Sequence, residues 1–369
     1  MHQIPSFVIT GGPCAGKSTG LALMREHLTN LGYTVLISPE AATSLIGSGI
    51  IPGKTVSGEL FQELVFKKIL ADESACLKAA KNSRLKKPVI LCDRGLMDGL
   101  AYTTSAHFQA LCKMFRGDIT KFRDKRYRAV MHLRTAALGA EEFYSLENNS
   151  ARTETPKEAR ALDERTLRAW VGHPHLRVIA NKPSTSFESK ICDLRKEICH
   201  VLGEPVPLEI ERKYLVEIPD WSKLPHFERV SIEQHYLIRG KDGAKRRIRA
   251  RGQKGSWLYT ETTKRKITEV SRIETERILS SREYHYLRAT ALDPMCMPIM
   301  KFRHCFVWKH QYFELDVFNK PILPHALLEI ELTDEAQKVH LPPFLKILKE
   351  VTTNPLWANS AIARHGAPK

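Results

Sequence analysis

A chain of 369 residues, 43% hydrophobic and 27% charged, has the length for two domains and the composition of a globular protein. No apolar run approaches the roughly 18 residues of a membrane-spanning helix. Its 57 Lys and Arg against 41 Asp and Glu leave a charge of +16, which calls for an anionic partner. The eight cysteines form no Cys-x-x-Cys pair and have no histidine at zinc spacing, so reduced thiols are expected. Met1 to Pro5 runs straight into a strand without the apolar core of a signal peptide, and a cytoplasmic protein, at most peripheral at membranes, is the expectation.

Phe7 to Thr10 is an apolar strand that enters Gly11-Gly12-Pro13-Cys14-Ala15-Gly16-Lys17-Ser18-Thr19, a full G-x-x-x-x-G-K-[ST] loop. An amphipathic helix with Leu21, Leu23, Met24 and Leu28 follows. Strand, glycine loop and helix N-terminus aim backbone N–H groups at phosphate; Lys17 reaches the outer phosphates and Ser18 offers its hydroxyl to Mg²⁺. Thr34 to Ser38 makes a second strand ending beside Glu40, at the sheet edge where α/β proteins bind ligands. After a helix over 58–80, Pro88 to Cys92 is a strand closed by Asp93 and Arg94. This pair looks like the Asp-Arg form common in small-molecule kinases, which implies Asp93 near the metal. Asp98 reads equally well as a helix N-terminal acid.

Ala129 to Leu133 is a fourth strand, and 134–160 has little periodicity. Resemblance to P-loop kinases makes that segment a lid with Arg152 and Arg160 as phosphate contacts, against the alternative of plain surface residues. A helix over 161–171 and a strand over 176–179 lead to Asn181-Lys182-Pro183-Ser184. Asn181 is assigned to the nucleotide site, but Ser184 stands where a guanine reader has Asp. A helix from Phe187 to Leu202 closes at Gly203, and Gly203 to Pro207 reads as a stiff linker. The expected domains are therefore 1–203 and 204–369.

The second half opens on Leu208-Glu209-Ile210-Glu211-Arg212-Lys213-Tyr214. On a strand, Glu209, Glu211 and Lys213 share one face, which suits a divalent cation and the phosphate it neutralises. A half-solvated edge strand would show the same pattern once. Here it recurs at Arg247, Arg249 and Arg251, at Glu274 and Glu276, at Lys301 and Arg303, at Glu314 and Asp316, and at Glu329 and Glu331. Between Arg239 and Lys266 stand 11 basic residues against 2 acidic ones, so the charge is concentrated as a site. Acidic pairs facing the same lumen argue against nucleic acid. A closed antiparallel barrel with charged faces inward and apolar faces under helices satisfies all six segments.

From about Leu208 to Leu332 the chain resembles the CYTH, or triphosphate tunnel metalloenzyme, family, whose hallmark is Glu-x-Glu-x-Lys followed by alternating Arg, Lys and Glu strands. The resemblance implies Glu209, Glu211, Glu329 and Glu331 as ligands of Mg²⁺ or Mn²⁺. It implies Lys213, Arg247, Arg249, Lys264, Lys301 and Arg303 as phosphate holders, and Asp316 as the acid of the penultimate strand. The order of the whole chain is similar to AAA-type ATP-binding plus CYTH proteins, one member of which is regarded as a binder of nucleotide and acidic lipid.

The expected fold is thus an α/β P-loop domain with parallel sheet, followed by an antiparallel eight-strand tunnel and an outer helix over 334–352 interrupted near Pro342-Pro343. The expected function is Mg²⁺-dependent binding and hydrolysis of ATP or GTP, coupled to metal-dependent triphosphate hydrolysis in the tunnel. A nucleotide-regulated adaptor for acidic phospholipid head groups and a small-molecule kinase are the competing readings.

Overall fold

The computed structural model describes residues 4–368 apart from 83, 142–154, 182–186, 205–209, 241–242, 254, 267–271 and 333–336. Glu209, Arg152, Ser184 and most of the expected linker lie outside the described residues. The chain divides into two compact units, Met1–Pro205 and Val206–Lys369.

The first unit is built on strands β1 (Ser6–Gly11), β2 (Thr34–Ser38), β3 (Pro88–Asp93), β4 (Ala129–Leu133) and β5 (Leu176–Ile179). They pair in the order β2-β3-β1-β4-β5, every pair parallel. Parallel strands are covered on both faces, which is why β1, β3 and β4 read as unbroken apolar runs rather than alternating ones. Helix α1 (Lys17–Asn30) lays Gly20, Leu21, Met24 and Leu28 on the sheet, and α6 (Phe187–Leu202) adds Ile191, Leu194 and Ile198 to the same core. Burial of each large side chain contributes roughly 1.5–3 kcal/mol. Helices α2 (Ala41–Gly47), α3 (Gly58–Asn82), α4 (Ser105–Met114) and α5 (Pro156–Trp170) complete this unit. Helix α5 begins before the expected 161 because Thr155 and Glu158 form a capping box around Pro156 at the first turn.

The second unit holds β6 (Ile210–Val216), β7 (Phe227–Leu237), β8 (Lys245–Gln253), β9 (Ser256–Lys266), β10 (Arg272–Leu279), β11 (Ile299–Trp308), β12 (Gln311–Lys320), β13 (Ala326–Leu332) and β14 (Ile347–Glu350). They form one antiparallel sheet in the order β10-β9-β8-β7-β11-β12-β13-β6-β14. The sheet has nine strands, not eight. The ninth lies in the segment expected as an outer helix: 337–346 has no helix, Pro342 and Pro343 block one, and Ile347–Glu350 pairs with β6.

Alternation along each strand separates two faces. Tyr214, Val216, Phe306, Phe313, Leu315, Leu328 and Ile330 make an apolar core on one. Ile248 and Ala250 pack there under α7 (Ser281–Thr290) through Tyr284. The opposite face carries the charges. Burial pushes the Tyr236 phenol on β7 up, while Arg247, Arg249 and Lys213 pull it back. Lys213 stands on β6, four places from β7 in strand order, so the charged face is strongly curled on itself. Helix α8 (Asn359–His365) packs Ile362 and Ala363 against Phe318 and Leu327 of that curled sheet.

Candidate functional site

In the first unit the loop between β1 and α1 is shaped by close approaches only glycine allows. A Cβ on Gly11, where φ is 143°, would stand 2.0 Å from the Leu133 carbonyl oxygen, and one on Gly16, where φ is 83°, would stand 2.4 Å from the Phe187 ring. Lys17 Nζ folds back to donate to Gly11 O at 3.2 Å and Gly12 O at 2.9 Å. Burial, then Arg94, bring its ammonium down to about 8 against the pull of Glu40 and Asp93. Arg94, at a positive φ of 71°, donates to Glu40 at 2.7 Å and to Gly11 O at 3.3 Å. Burial works to raise Glu40, yet Arg94 and Thr43 hold it below the usual carboxylate range.

Asp93 ends β3 beside Ile9 of β1. Burial and then Glu40 raise its carboxyl, and its buried Oδ1 has no hydrogen-bond partner. An orphaned carboxylate oxygen among Lys17, Glu40 and Arg94, with the Ser18 hydroxyl on the first turn of α1, is a donor set that fits Mg²⁺. Asp98 is structural: it accepts from Thr10 Oγ1 at 2.5 Å, Gly95 N at 2.7 Å and Trp170 Nε1 at 3.1 Å.

Two residues that sequence reasoning missed hold the loop in place. Asp163 of α5, fully buried, accepts from Gly12 N at 2.8 Å and Thr135 N at 3.2 Å. Burial opposes its charge, but His132, Arg134 and these bonds hold it down to about 2. Lys190 of α6 donates to Ala15 O at 3.0 Å, Arg134 O at 2.6 Å and Asn181 Oδ1 at 2.9 Å. Asn181, assigned from sequence to the nucleotide site, gives its amide N–H groups to Thr135 O and Leu138 O, both at 2.7 Å, in the segment after β4. Arg160 likewise donates to Ala137 O at 2.9 Å. No local motif marks Asp163 or Lys190, because each acts across more than 20 residues of chain.

Buried Lys17 gives a pH dependence to nucleotide binding. A phosphate binds the ammonium and not the amine, so above pH 8 the bound state must take up a proton. Affinity is then expected to fall, approaching about tenfold per pH unit. Calorimetry at pH 7 and 9 in two buffers of different ionisation heat checks this, and the absence of proton uptake at pH 9 contradicts it.

In the second unit the register places the expected residues face to face. Arg303 on β11 donates to Asp316 at 2.7 and 2.6 Å, to Glu329 at 2.7 Å, and to Glu314. Lys301, only 2% exposed, pairs with Asp316 and donates to Asn359 Oδ1 at 3.3 Å. Lys213 lies 3.0 Å from both Glu211 and Glu329. Although burial works the other way, Lys213, Lys301 and Arg303 hold Glu329 well below the carboxylate range. Both oxygens of Glu329 are therefore taken by cations, and it does not fit the metal-ligand role expected of it.

Glu211 and Glu331 stand directly opposite each other on β6 and β13. Lys213 already lies against Glu211, and two carboxylates directly opposed across strands are also of a chemistry that suits a divalent ion. Among the described residues no three acids, histidines or cysteines gather in metal-holding geometry.

Arg249 on β8 differs from Arg303. It donates to the neutral Gln234 at 3.3 and 3.1 Å, and burial, then Arg247 and Arg303, bring its guanidinium down to about 10. Lys264 faces Lys245 across β8 and β9. Outward-pointing Arg246 instead pairs with Glu261 at 2.6 Å, and Arg277 shares that acid at 2.7 Å. Gln234 and Glu314 were legible as polar residues of inward parity; Asn359 carried no signal.

A glycine loop preceding a helix on a parallel sheet, with a lysine and an orphaned aspartate at the sheet's carboxyl edge, defines a P-loop nucleotide-binding domain. The AAA-domain family profile matches residues 6–190, half of the chain, and the chain belongs to that family. No curated protein matches it. Among solved structures, the inorganic triphosphatase NE1496 is 29% identical over 42% of this chain and 94% of its own, with a TM-score of 0.31. The PH1819 protein from Pyrococcus horikoshii OT3 is 22% identical over 35% of this chain and 80% of its own, with a TM-score of 0.28. No helix among the described residues is long and apolar enough to cross a membrane.

Proposed function

We propose that the second unit binds a triphosphate on its curled inward face and hydrolyses a phosphoanhydride bond with a divalent cation, while the first unit binds and hydrolyses ATP or GTP with Mg²⁺. The observation that carries the reading is Arg249, a half-buried guanidinium that hydrogen-bonds a neutral amide and on which the repulsion of Arg247 and Arg303 outweighs the attraction of Glu276 and Glu314. Such a cluster of like charge is costly unless a polyanion completes it. Arg247 and Arg249 then orient the phosphate chain and take up the charge that builds on it as water displaces the terminal phosphate. Arg303 and Lys301, fixed by Asp316, form the rigid wall behind them. Glu211 and Glu331, with Glu209, would hold Mg²⁺ or Mn²⁺, which neutralises phosphate oxygens and lowers the pKa of bound water.

In the first unit Lys17 and the amide groups of α1's first turn would bind the outer phosphates, with Ser18 and Asp93 toward the metal. The orphaned Oδ1 of Asp93 also favours a second reading there, a small-molecule kinase in which Asp93 takes the proton from an acceptor hydroxyl. An adaptor for acidic lipid head groups is disfavoured, since opposed carboxylates gain nothing from an anion without a metal.

Phosphate release from the full chain over ATP, GTP, tripolyphosphate and thiamine triphosphate, with Mg²⁺ and Mn²⁺, tests the proposal. Glu211→Gln is expected to lower tunnel turnover by about 10²–10³, the effect of removing one electrostatic stabiliser, while triphosphate still binds. Lys17→Ala is expected to abolish nucleotide binding and spare tripolyphosphate release. Tripolyphosphate bound but never cleaved would sink the hydrolase reading, and unchanged Glu211→Gln turnover at saturating Mn²⁺ would remove Glu211 from the metal site.

A further inference from the structure

The apolar stripe of α6 does not end where the core of the first unit ends. Phe187, Ile191, Leu194 and Ile198 recur at the spacing of one helix face. Ile191 and Leu194 are buried and close over Gly20 of α1, where an added Cβ would stand 3.5 and 3.1 Å from their methyl groups. One turn earlier the same face meets the phosphate loop. Cε2 and Cζ of the Phe187 ring lie only 2.4 and 2.9 Å from where a Cβ on Gly16 would stand, so the ring rests on that glycine. There it also leaves the core: Phe187 is 39% exposed, against 3% for Ile191.

A phenyl ring left in water forgoes the stabilisation that burial would give it, and its neighbours here are of another kind. Ser18 and Thr19, on the first turn of α1, are exposed and polar, as the approach to a phosphate cradle requires. In a nucleotide only a ribose separates the innermost phosphate from the base, so a base can reach a ring that touches the phosphate loop itself. Asn181, the polar residue near the start of α6, has its amide turned to Thr135 O, Leu138 O and Lys190. What the start of α6 offers a base is therefore the π-system of Phe187.

We propose that Phe187 is the base platform of the first unit, its ring propped on Gly16 and stacked on the base of the bound nucleotide. Stacking needs only a π-face, so this contact holds adenine and guanine alike. The inference rests on the reading that the first unit binds ATP or GTP, and it adds the group of this chain that meets the base. Gly16 then has two duties, since its lack of a side chain both permits the positive φ of 83° and seats the ring.

The test uses the full chain. ATP and GTP with Mg²⁺ are titrated by calorimetry into the parent, Phe187→Leu and Phe187→Trp, and the binding that Lys17→Ala abolishes is assigned to the first unit. Displacement of ATP from that site by tripolyphosphate, which has the phosphates and no base, is measured alongside. Phe187→Leu keeps an apolar contact with Gly16 and is expected to weaken ATP and GTP by about tenfold each, the loss of one stacked base, with the affinity for tripolyphosphate unchanged. Phe187→Trp is expected to bind both nucleotides at least as tightly as the parent. Tripolyphosphate weakened in step with the nucleotides would make the ring a mere prop of the loop and overturn the proposal, as would unchanged nucleotide affinity in Phe187→Leu. ATP binding that Lys17→Ala leaves untouched is a different failure: it removes the nucleotide reading itself, and the platform with it.

Discussion

Arg303→Ala is expected to unfold or severely loosen the second unit while leaving nucleotide binding by the first intact. The guanidinium is the shared partner of Asp316, Glu329 and Glu314. Asp316 is fully buried and Glu329 nearly so. Its loss leaves three clustered carboxylates with only Lys301 and Lys213 to offset them, and breaking a buried ionic network of this kind costs about 3–5 kcal/mol. For a unit of this size that is a fall of roughly 10 °C or more in its melting temperature. Scanning calorimetry of the full chain measures it, and an unchanged second transition would show that Arg303 is not the keystone of the inward face.

Arg249→Ala should do the reverse. Among the described residues Arg249 hydrogen-bonds only Gln234, and Arg247 and Arg303 repel it more than Glu276 and Glu314 attract it, so its removal relieves repulsion and leaves stability unchanged or raised. Triphosphate affinity is expected to fall by at least about 100-fold, since two charge-assisted bonds at roughly 1.5–3 kcal/mol each are lost. Titration of tripolyphosphate into the variant, set beside its melting curve, makes the comparison. A variant that melts lower and binds normally would assign Arg249 to the scaffold and remove the main support for a polyanion site. The two arginines occupy inward positions on strands of one sheet, yet one is held by three carboxylates and the other hydrogen-bonds a neutral amide. The difference lies in what stands opposite each.

That difference was not legible in the sequence. Alternation of charge revealed the inward faces of β6, β8, β11, β12 and β13, because a period of two survives any register. It missed β7, where one acid, Glu228, precedes the uncharged inward residues Val230, Ile232, Gln234 and Tyr236, although β7 supplies the partner of Arg249. The family resemblance implied a metal role for Glu329, and an acid of the right parity does not disclose that Lys213 and Arg303 have claimed both its oxygens. In the first unit β2, β4, β5 and α6 fall where apolar runs and caps placed them, since local propensity and burial agree there. Asp163 and Lys190, which brace the phosphate loop from α5 and α6, had no such signature. The segment over 334–352 failed for a third reason: its helical composition was overridden by Pro342-Pro343 and by the open edge of β6, which Ile347–Glu350 pairs.

The account rests on the inward row of β8 being the triphosphate site, and parity tests it most directly. Affinity for tripolyphosphate should be measured for Arg246→Ala, Arg247→Ala and Arg249→Ala at two salt concentrations. Arg246 points outward to Glu261, so its variant is expected to bind as the parent does, while the Arg247 and Arg249 variants lose affinity steeply and with shallow salt dependence, as buried charges are little screened. Equal losses at all three positions, shrinking together as salt rises while the parent's own affinity falls steeply, would mean an exposed basic patch and contradict the tunnel.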